Sequence, residues 1–100
     1  MPSFQVMVPH QLGQDAARAR VEAFLENVQR DYAALLSQVN GQWEGNALAF
    51  GFVASGLRVS GILSVQESAA VVDGNLPLAA AFFRGQIERS IREQLLLLLG

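Results

Sequence analysis

Three turn signals between Trp43 and Val72 constrain this chain more than any other feature, because they agree on one strand register. Loops at 45–46, 55–56 and 67–68 would close three successive antiparallel hairpins. The predicted pairs are Trp43 with Leu48, Leu48 with Leu63, Phe50 with Gly61, Phe52 with Val59, Leu63 with Val72 and Val65 with Ala70. A slip of one residue would scatter the large apolar side chains over both faces. We therefore expect one apolar face, with the Phe50 ring covering the bare Gly61.

A strand and a helix precede these hairpins, and a second helix follows them. Alternating apolar residues predict a strand over 3–8 that Pro9 ends. From Asp15 to Val39, apolar residues recur on one helical stripe about 80° wide. The stripe contains Ala17, Val21, Phe24, Val28, Tyr32, Leu35 and Val39, and Asn40-Gly41 supplies the stop. The second helix is predicted from Pro77 to about Leu98, with Ala80, Phe83, Ile87, Ile91 and Leu98 on its inner side.

The predicted order is β-α-β-β-β-β-α over residues 1–100, as a single α+β domain. Hydrophobic residues make up 51% of the chain, enough for one core at this length. Two long helices and one antiparallel sheet close most simply when both helices pack on the same face of the sheet.

Composition excludes several classes of function. Seven arginines without a lysine are scattered among nine acids, so no basic face for nucleic acid is expected. The chain has no cysteine, and its longest apolar run, Leu76–Phe83, is far below the roughly 18 residues of a membrane span. No signal peptide is recognisable, so we expect a cytoplasmic protein without a transmembrane segment.

The residue types that carry catalysis do not form a recognisable centre. His10 is the only histidine, and a solvated surface imidazole is the expected reading. No serine lies in a Gly-x-Ser-x-Gly turn, the acids do not pair for general acid and base work, and metal-ligand spacing is missing. We expect no enzyme activity, no cofactor and no metal.

Surplus apolar side chains at the second helix indicate an interaction surface. Phe82, Leu96 and Leu99 fall opposite the predicted inner stripe, and the turns from Leu95 to Leu99 are apolar all round. These four residues, Phe82, Leu95, Leu96 and Leu99, are the predicted contact with a second copy or another partner. The alternative is that Leu96 and Leu99 lie under a loop or fray into solvent.

Motifs in order along nearly the whole chain resemble the small polyhydroxyalkanoic acid system proteins. They are residues 9–13 (PHQLG), residues 41–46 (GQWEGN), residues 61–65 (GILSV), Leu76-Pro77, and the helix with Ile87, Glu88, Ile91 and Leu95. The resemblance implies a bacterial cytoplasmic protein linked to polyester granules, and it carries no catalytic residue over.

Two hypotheses follow for function. The first is an accessory protein that forms a homodimer or docks through its apolar surface on polyhydroxyalkanoate granules or their coat proteins. The second is a helix-grip module that binds a hydroxyacyl or lipid-like chain, by fold analogy alone. Its pocket would be lined by Asp31, Tyr32, Trp43, Phe50 and Phe52. We expect Asp31 to reach water at the rim and the aromatic rings to fill the space themselves.

Overall fold

The computed structural model describes residues 3–31, 36–54 and 56–100. Its elements are β1 (Ser3–Pro9), α1 (Gln14–Asp31), β2 (Leu36–Glu44), β3 (Ala47–Ala54), β4 (Leu57–Val65), β5 (Ala69–Asn75), a 3-10 helix (Leu78–Phe83) and α2 (Arg84–Leu99). The strands form one antiparallel sheet in the order β1-β5-β4-β3-β2. The first strand therefore pairs with the last, and the α+β prediction is confirmed.

Every predicted hairpin pair is present in the sheet. The register of β2, β3, β4 and β5 matches all six pairs. A Cβ built on Gly61 would lie 3.1 Å from Cζ of Phe50, so the ring covers this glycine as expected. Gly74 pairs with Gly61, and the Phe4 ring covers Gly74 in the same manner. One cross-strand row thus reads Phe4-Gly74-Gly61-Phe50 on the inner face.

The core lies between this inner face and the two helices. The largest fully buried side chains are those of Val6, Val8, Val65, Leu76 and Leu99. Strand β1 alternates between buried and exposed residues along its whole length, as a half-buried strand should. On the opposite face of the sheet, Met7 and Ile62 are 61% and 50% exposed.

Helix α1 is shorter than predicted. It ends at Asp31, and Val39, Asn40 and Gly41 belong to β2, so the predicted helical stripe and stop in this region are wrong. The predicted Tyr32 and Leu35 fall outside the described residues. Strand β3 runs to Ala54, and β2 pairs with it along that length, which supplies partners for its backbone groups. A bulge between Ser37 and Asn40, with Gln38 at a φ of 52°, lets β2 follow β3.

The second helical segment begins as a 3-10 helix, which changes the phase of its apolar stripe. A 3-10 turn advances each residue by about 120°, against about 100° in an α-helix. Six residues at the tighter winding rotate α2 relative to a continuous α-helical wheel. Ala80 is buried as predicted, but Phe83 is 52% exposed, whereas Leu95 and Leu99 are buried. The prediction that Leu99 lies opposite the inner stripe is wrong.

Candidate functional site

An apolar groove runs between the two helices above the sheet. Its volume is about 290 Å³. One wall comes from α1, the other from α2, and the floor from β2 to β5. The described lining residues are Val21, Phe24, Leu25, Val28, Val39, Asn40, Leu48, Phe50, Gly51, Phe52, Leu63, Val72, Ser90, Ile91, Gln94, Leu95 and Leu98.

The groove arises because the helices do not fill the space above β3. Phe24, Leu25 and Val28 of α1 are only partly buried, although they face the sheet. On the floor, the rings of Phe50 and Phe52 stack with centroids 6.4 Å apart and an interplanar angle of 15°. The two stacked rings give the groove a flat apolar floor, which offers water no hydrogen-bonding group.

Polar side chains are few in the lining. Ser90 and Gln94 lie one turn apart on α2, and both are exposed. Asn40 lies on β2, and its amide donates to the Gln38 carbonyl over 3.2 Å. None of the described lining residues is charged. The surface that the lining residues turn toward the groove is therefore almost entirely carbon.

Hydrogen bonds from the first half of α1 fasten that helix to the rest of the molecule. The Gln14 side chain donates to the Val65 carbonyl over 2.9 Å, and its backbone N–H donates to Glu67 over 3.3 Å. Arg18 donates to the Gly45 carbonyl over 2.7 Å, and Arg20 donates to the Leu98 carbonyl over 3.1 Å. The last of these bonds joins α1 directly to the end of α2.

The structure brings together part of the predicted pocket. Phe50 and Phe52 line the groove, whereas Trp43 and Asp31 are not among its described lining residues. Trp43 lies under the Arg18 guanidinium, 4.5 Å from ring centroid to Cζ. Asp31 pairs with Arg30 on the exposed surface, over 3.1 Å. Tyr32 lies outside the described residues. The expectation that the aromatic rings fill the space is wrong, because a groove remains beside Phe50 and Phe52.

The predicted contact residues divide into two pairs. Phe82 is 97% exposed and Leu96 is 48% exposed, as expected of a contact surface. Leu95 and Leu99 are buried in the core, so they offer no accessible surface in this structure. Leu97, inside the predicted apolar stretch from Leu95 to Leu99, is 80% exposed, and so is Leu78, which sequence reasoning missed. A contact role for Phe82 and Leu96 stays a prediction.

His10 is a structural residue and not the solvated imidazole that was expected. It is 6% exposed. Its Nδ1 accepts from the Leu12 N–H over 3.2 Å, which leaves Nε2 to donate to the Gln66 carbonyl 3.0 Å away. The ring thus joins the end of β1 to the turn between β4 and β5, and both of its nitrogens are engaged.

A second depression lies at the start of β1 and the end of β5, but its polar groups largely satisfy one another. Gln5 donates to Asp73 over 2.7 Å, and Arg84 pairs with Glu88 at 3.7 Å. This depression is open and mixed in polarity. The groove between the helices is therefore the stronger candidate for a ligand site.

Comparison with known proteins identifies the family. The family described as putative polyhydroxyalkanoic acid system protein matches residues 4–99. The chain belongs to this family. That membership confirms the resemblance of the motifs and links the protein to polyhydroxyalkanoate metabolism. No curated protein and no solved structure matches the chain.

No helix in the three described stretches is both long and apolar enough to cross a membrane.

Some groove residues, such as Asn40, Ser90 and Gln94, were not found by sequence reasoning. Their positions depend on where β2 begins and on the phase of α2. The start of β2 has no local signal in the sequence, and the 3-10 helix before α2 changes the phase that one continuous helix would have.

Proposed function

We propose that this protein is a non-enzymatic, cytoplasmic accessory protein of polyhydroxyalkanoate metabolism that holds an apolar chain in the groove between α1 and α2. The observation that carries the proposal is the apolar groove of about 290 Å³. Pockets for small ligands are mostly apolar, with a few polar groups, and start near 300 Å³. The groove has this character at the lower end of that size range.

The energetics favour an occupant. The partly buried Phe24, Leu25 and Val28 leave apolar area in contact with water. Removing such area from water contributes about 25 cal/mol per Å². A chain that covers the groove would gain this energy without rearranging the sheet. Polyhydroxyalkanoates are polyesters of hydroxyacyl units, so the family membership supplies a chain of suitable chemistry.

The fold offers a supporting analogy. A C-terminal helix that lies across an antiparallel sheet whose first strand pairs with its last is the arrangement of helix-grip proteins. Several of these bind lipid-like molecules between helix and sheet. Fold does not imply function, so the groove itself, and not the shared fold, is the reason to expect a ligand.

A calorimetric titration tests the proposal. Saturable binding of methyl 3-hydroxyoctanoate or of 3-hydroxyoctanoate is expected. A ligand of about twelve non-hydrogen atoms, at about 0.5 kcal/mol per atom, would have a Kd of some tens of micromolar. Absence of saturable binding for both compounds would contradict the proposal.

A matched pair of variants locates the binding site. Ser90→Phe places a ring in the groove wall at an exposed position, so it should abolish binding while the fold is kept. Gln86→Phe introduces the same ring on the same helix outside the described lining, and it should bind as the wild type does. Circular dichroism checks the fold of both. Equal binding by the two variants would place the ligand elsewhere.

Exposed apolar residues favour a second candidate function, docking on the granule surface or on its coat proteins. The 3-10 helix exposes Leu78, Phe82 and Phe83 by 80%, 97% and 52%. Each large apolar side chain that becomes fully buried contributes about 1.5–3 kcal/mol. Two or three of these residues would hold a contact between the protein and an apolar polymer.

Granule localisation tests this second function. The double variant Leu78→Gln and Phe82→Gln should keep its fold, because both side chains are exposed, and a fluorescent fusion should leave the granules. Met7→Gln, which changes a 61% exposed residue on β1, is the control and should stay bound. Unchanged localisation of the double variant rules out this contact. If the same residues form the predicted homodimer, sedimentation would show a dimer for the wild type and a monomer for the variant.

A further inference from the structure

The groove also indicates which kind of chain it takes. We infer that its ligand is electrically neutral, an ester or an internal segment of a polyester chain, and not a free acid. This inference rests on the proposed function of the groove. It depends on three features: the absence of charge in the described lining, the partners of the α1 arginines and the carbon surface of the groove.

The lining offers no partner for a carboxylate. No described lining residue carries a charge, and residues 1–2, 32–35 and 55, which lie outside the described ranges, include no charged side chain in the sequence. An ionised carboxylate that leaves water for an apolar site without a partner is strongly disfavoured. A neutral ester loses far less hydration in the same transfer.

The arginines of α1 already have partners. Arg18 is bonded to Glu22 and to the Gly45 carbonyl. Arg20 is bonded to the Leu98 carbonyl, and Arg30 to Asp31 and Asn27. Recruiting Arg18 or Arg20 for an acidic ligand would break contacts that hold α1 in place, and recruiting Arg30 would break its bonds within the helix. Each arginine of α1 therefore already has a hydrogen-bond partner, and none is free to bind the carboxylate of an acidic ligand.

The surface of the groove is almost entirely carbon. Ser90 and Gln94 are exposed residues on α2 that line the groove mainly through their carbon atoms, so they fix no hydrogen-bonding group inside it. The volume of about 290 Å³ lies at the lower end of the range of small-ligand pockets, which suits a short hydroxyacyl chain. A hydroxyacyl ester can lie along this apolar groove with its ester group out of water, whereas a carboxylate in the same position would lose its hydration without gaining a partner.

Calorimetric titration of the wild-type protein at pH 7.5 with methyl 3-hydroxyoctanoate and with sodium 3-hydroxyoctanoate tests the inference. The ester should bind at least tenfold more tightly than the ionised acid. Equal or tighter binding of the acid overturns the neutral-ligand inference and leaves groove binding standing. Binding of neither compound overturns the proposed function together with the inference.

A charge introduced at the groove gives a second test. Gln94→Arg places a cation beside the groove at an exposed position, so it should shift the ratio of acid to ester affinity toward the acid by at least fivefold. Glu93→Gln raises the net charge by the same single unit at an exposed residue outside the described lining, and it should leave the ratio unchanged. An unchanged ratio in Gln94→Arg, or an equal shift in both variants, overturns the placement of the ligand head group.

Discussion

The two sides of the helix–sheet interface differ, although both are built from aliphatic and aromatic residues. On the packed side, which contains Val6, Val8, Val65, Leu76 and Leu99, every one of these side chains is less than 2% exposed. On the open side, which contains Phe24, Leu25, Val28, Phe50 and Phe52, every side chain is only partly buried. The open side is the groove.

This difference separates stability from binding within one small domain. Close-packed interiors resist the loss of even one methylene, because neighbouring atoms cannot collapse into the gap. A side chain that already borders the open groove loses fewer contacts when it is replaced by a smaller one. The packed side should therefore carry most of the free energy of unfolding, whereas the open side should carry the affinity for a ligand.

The largest expected effect comes from a matched leucine pair. Leu76→Ala on the packed side should lower the free energy of unfolding by about 2–5 kcal/mol, because its side chain is fully buried. Leu25→Ala on the open side should cost about 1 kcal/mol, since the site already borders space. Urea denaturation gives both values. Equal costs would show that the two sides are packed alike.

A smaller effect is expected where the two sides meet, in the row that joins Phe4 to Phe50. Gly61→Ala would place a Cβ 2.6 Å from the Asp73 carbonyl oxygen and 2.9 Å from Cα of Gly74, both of them backbone atoms. The strands must shift, at a cost of about 1–3 kcal/mol. Gly85→Ala, with no atom within 4 Å, should instead stabilise α2 by up to about 1 kcal/mol. Thermal unfolding of both variants measures the difference in stability. An unchanged stability of Gly61→Ala would contradict the close approach of the strand backbones at this position.

The hydrogen bonds of His10 give a further test of the comparison between the packed side and the open side. His10→Ala removes the bonds to Leu12 and Gln66 on the packed side, with an expected loss of about 1–2 kcal/mol. Gln11→Ala, at the exposed neighbouring position, should change stability by less than about 0.5 kcal/mol. Ligand affinity should stay at the wild-type value in both. A loss of affinity in His10→Ala alone would show that the two sides are coupled.

The smallest expected effect is at the contact between α1 and β2, outside both the packed side and the described lining of the groove. Arg18→Gln removes the guanidinium from the face of Trp43 and should cost about 0.5–1 kcal/mol. Trp43 is the only tryptophan, so its emission should move to longer wavelength as water reaches the ring. Arg30→Gln, whose bonds stay within α1, is the control and should leave the emission unchanged. An unshifted Arg18→Gln spectrum would argue against the stacked geometry.

Local signals in the sequence predicted the sheet, because each hairpin is specified by a turn and by the alternation on either side of it. The end of α1 was not predictable in this way. Val39 fits the helical stripe as well as a strand, and pairing of β2 with β3 decides between them. Likewise, the 3-10 helix puts Ala80 and Phe83 out of phase with α2, so these two residues do not locate its inner side. Leu95 and Leu99, which follow Ile91 at four-residue spacing, are buried there.

The candidate site was predicted only in part, for a related reason. Phe50 and Phe52 follow from the sheet register, which the turns specify. The groove itself is a space between elements, and its size depends on how far the helices stand from the sheet. Hydrophobic periodicity shows which side of a helix faces inward, but it does not show how completely that side is covered.

The hydrogen bonds of α1 have a mechanical consequence. Within the described residues, its bonds to the rest of the molecule all come from residues 14–20, and residues 21–31 bond only within the helix. Hydrogen bonds therefore anchor α1 at its N-terminal end, whereas its second half is held over the groove by apolar contacts such as those of Val21 and Leu25 with the core. Apolar contacts have no preferred direction, so this half of the helix can adjust its position over a ligand at lower cost than the hydrogen-bonded half.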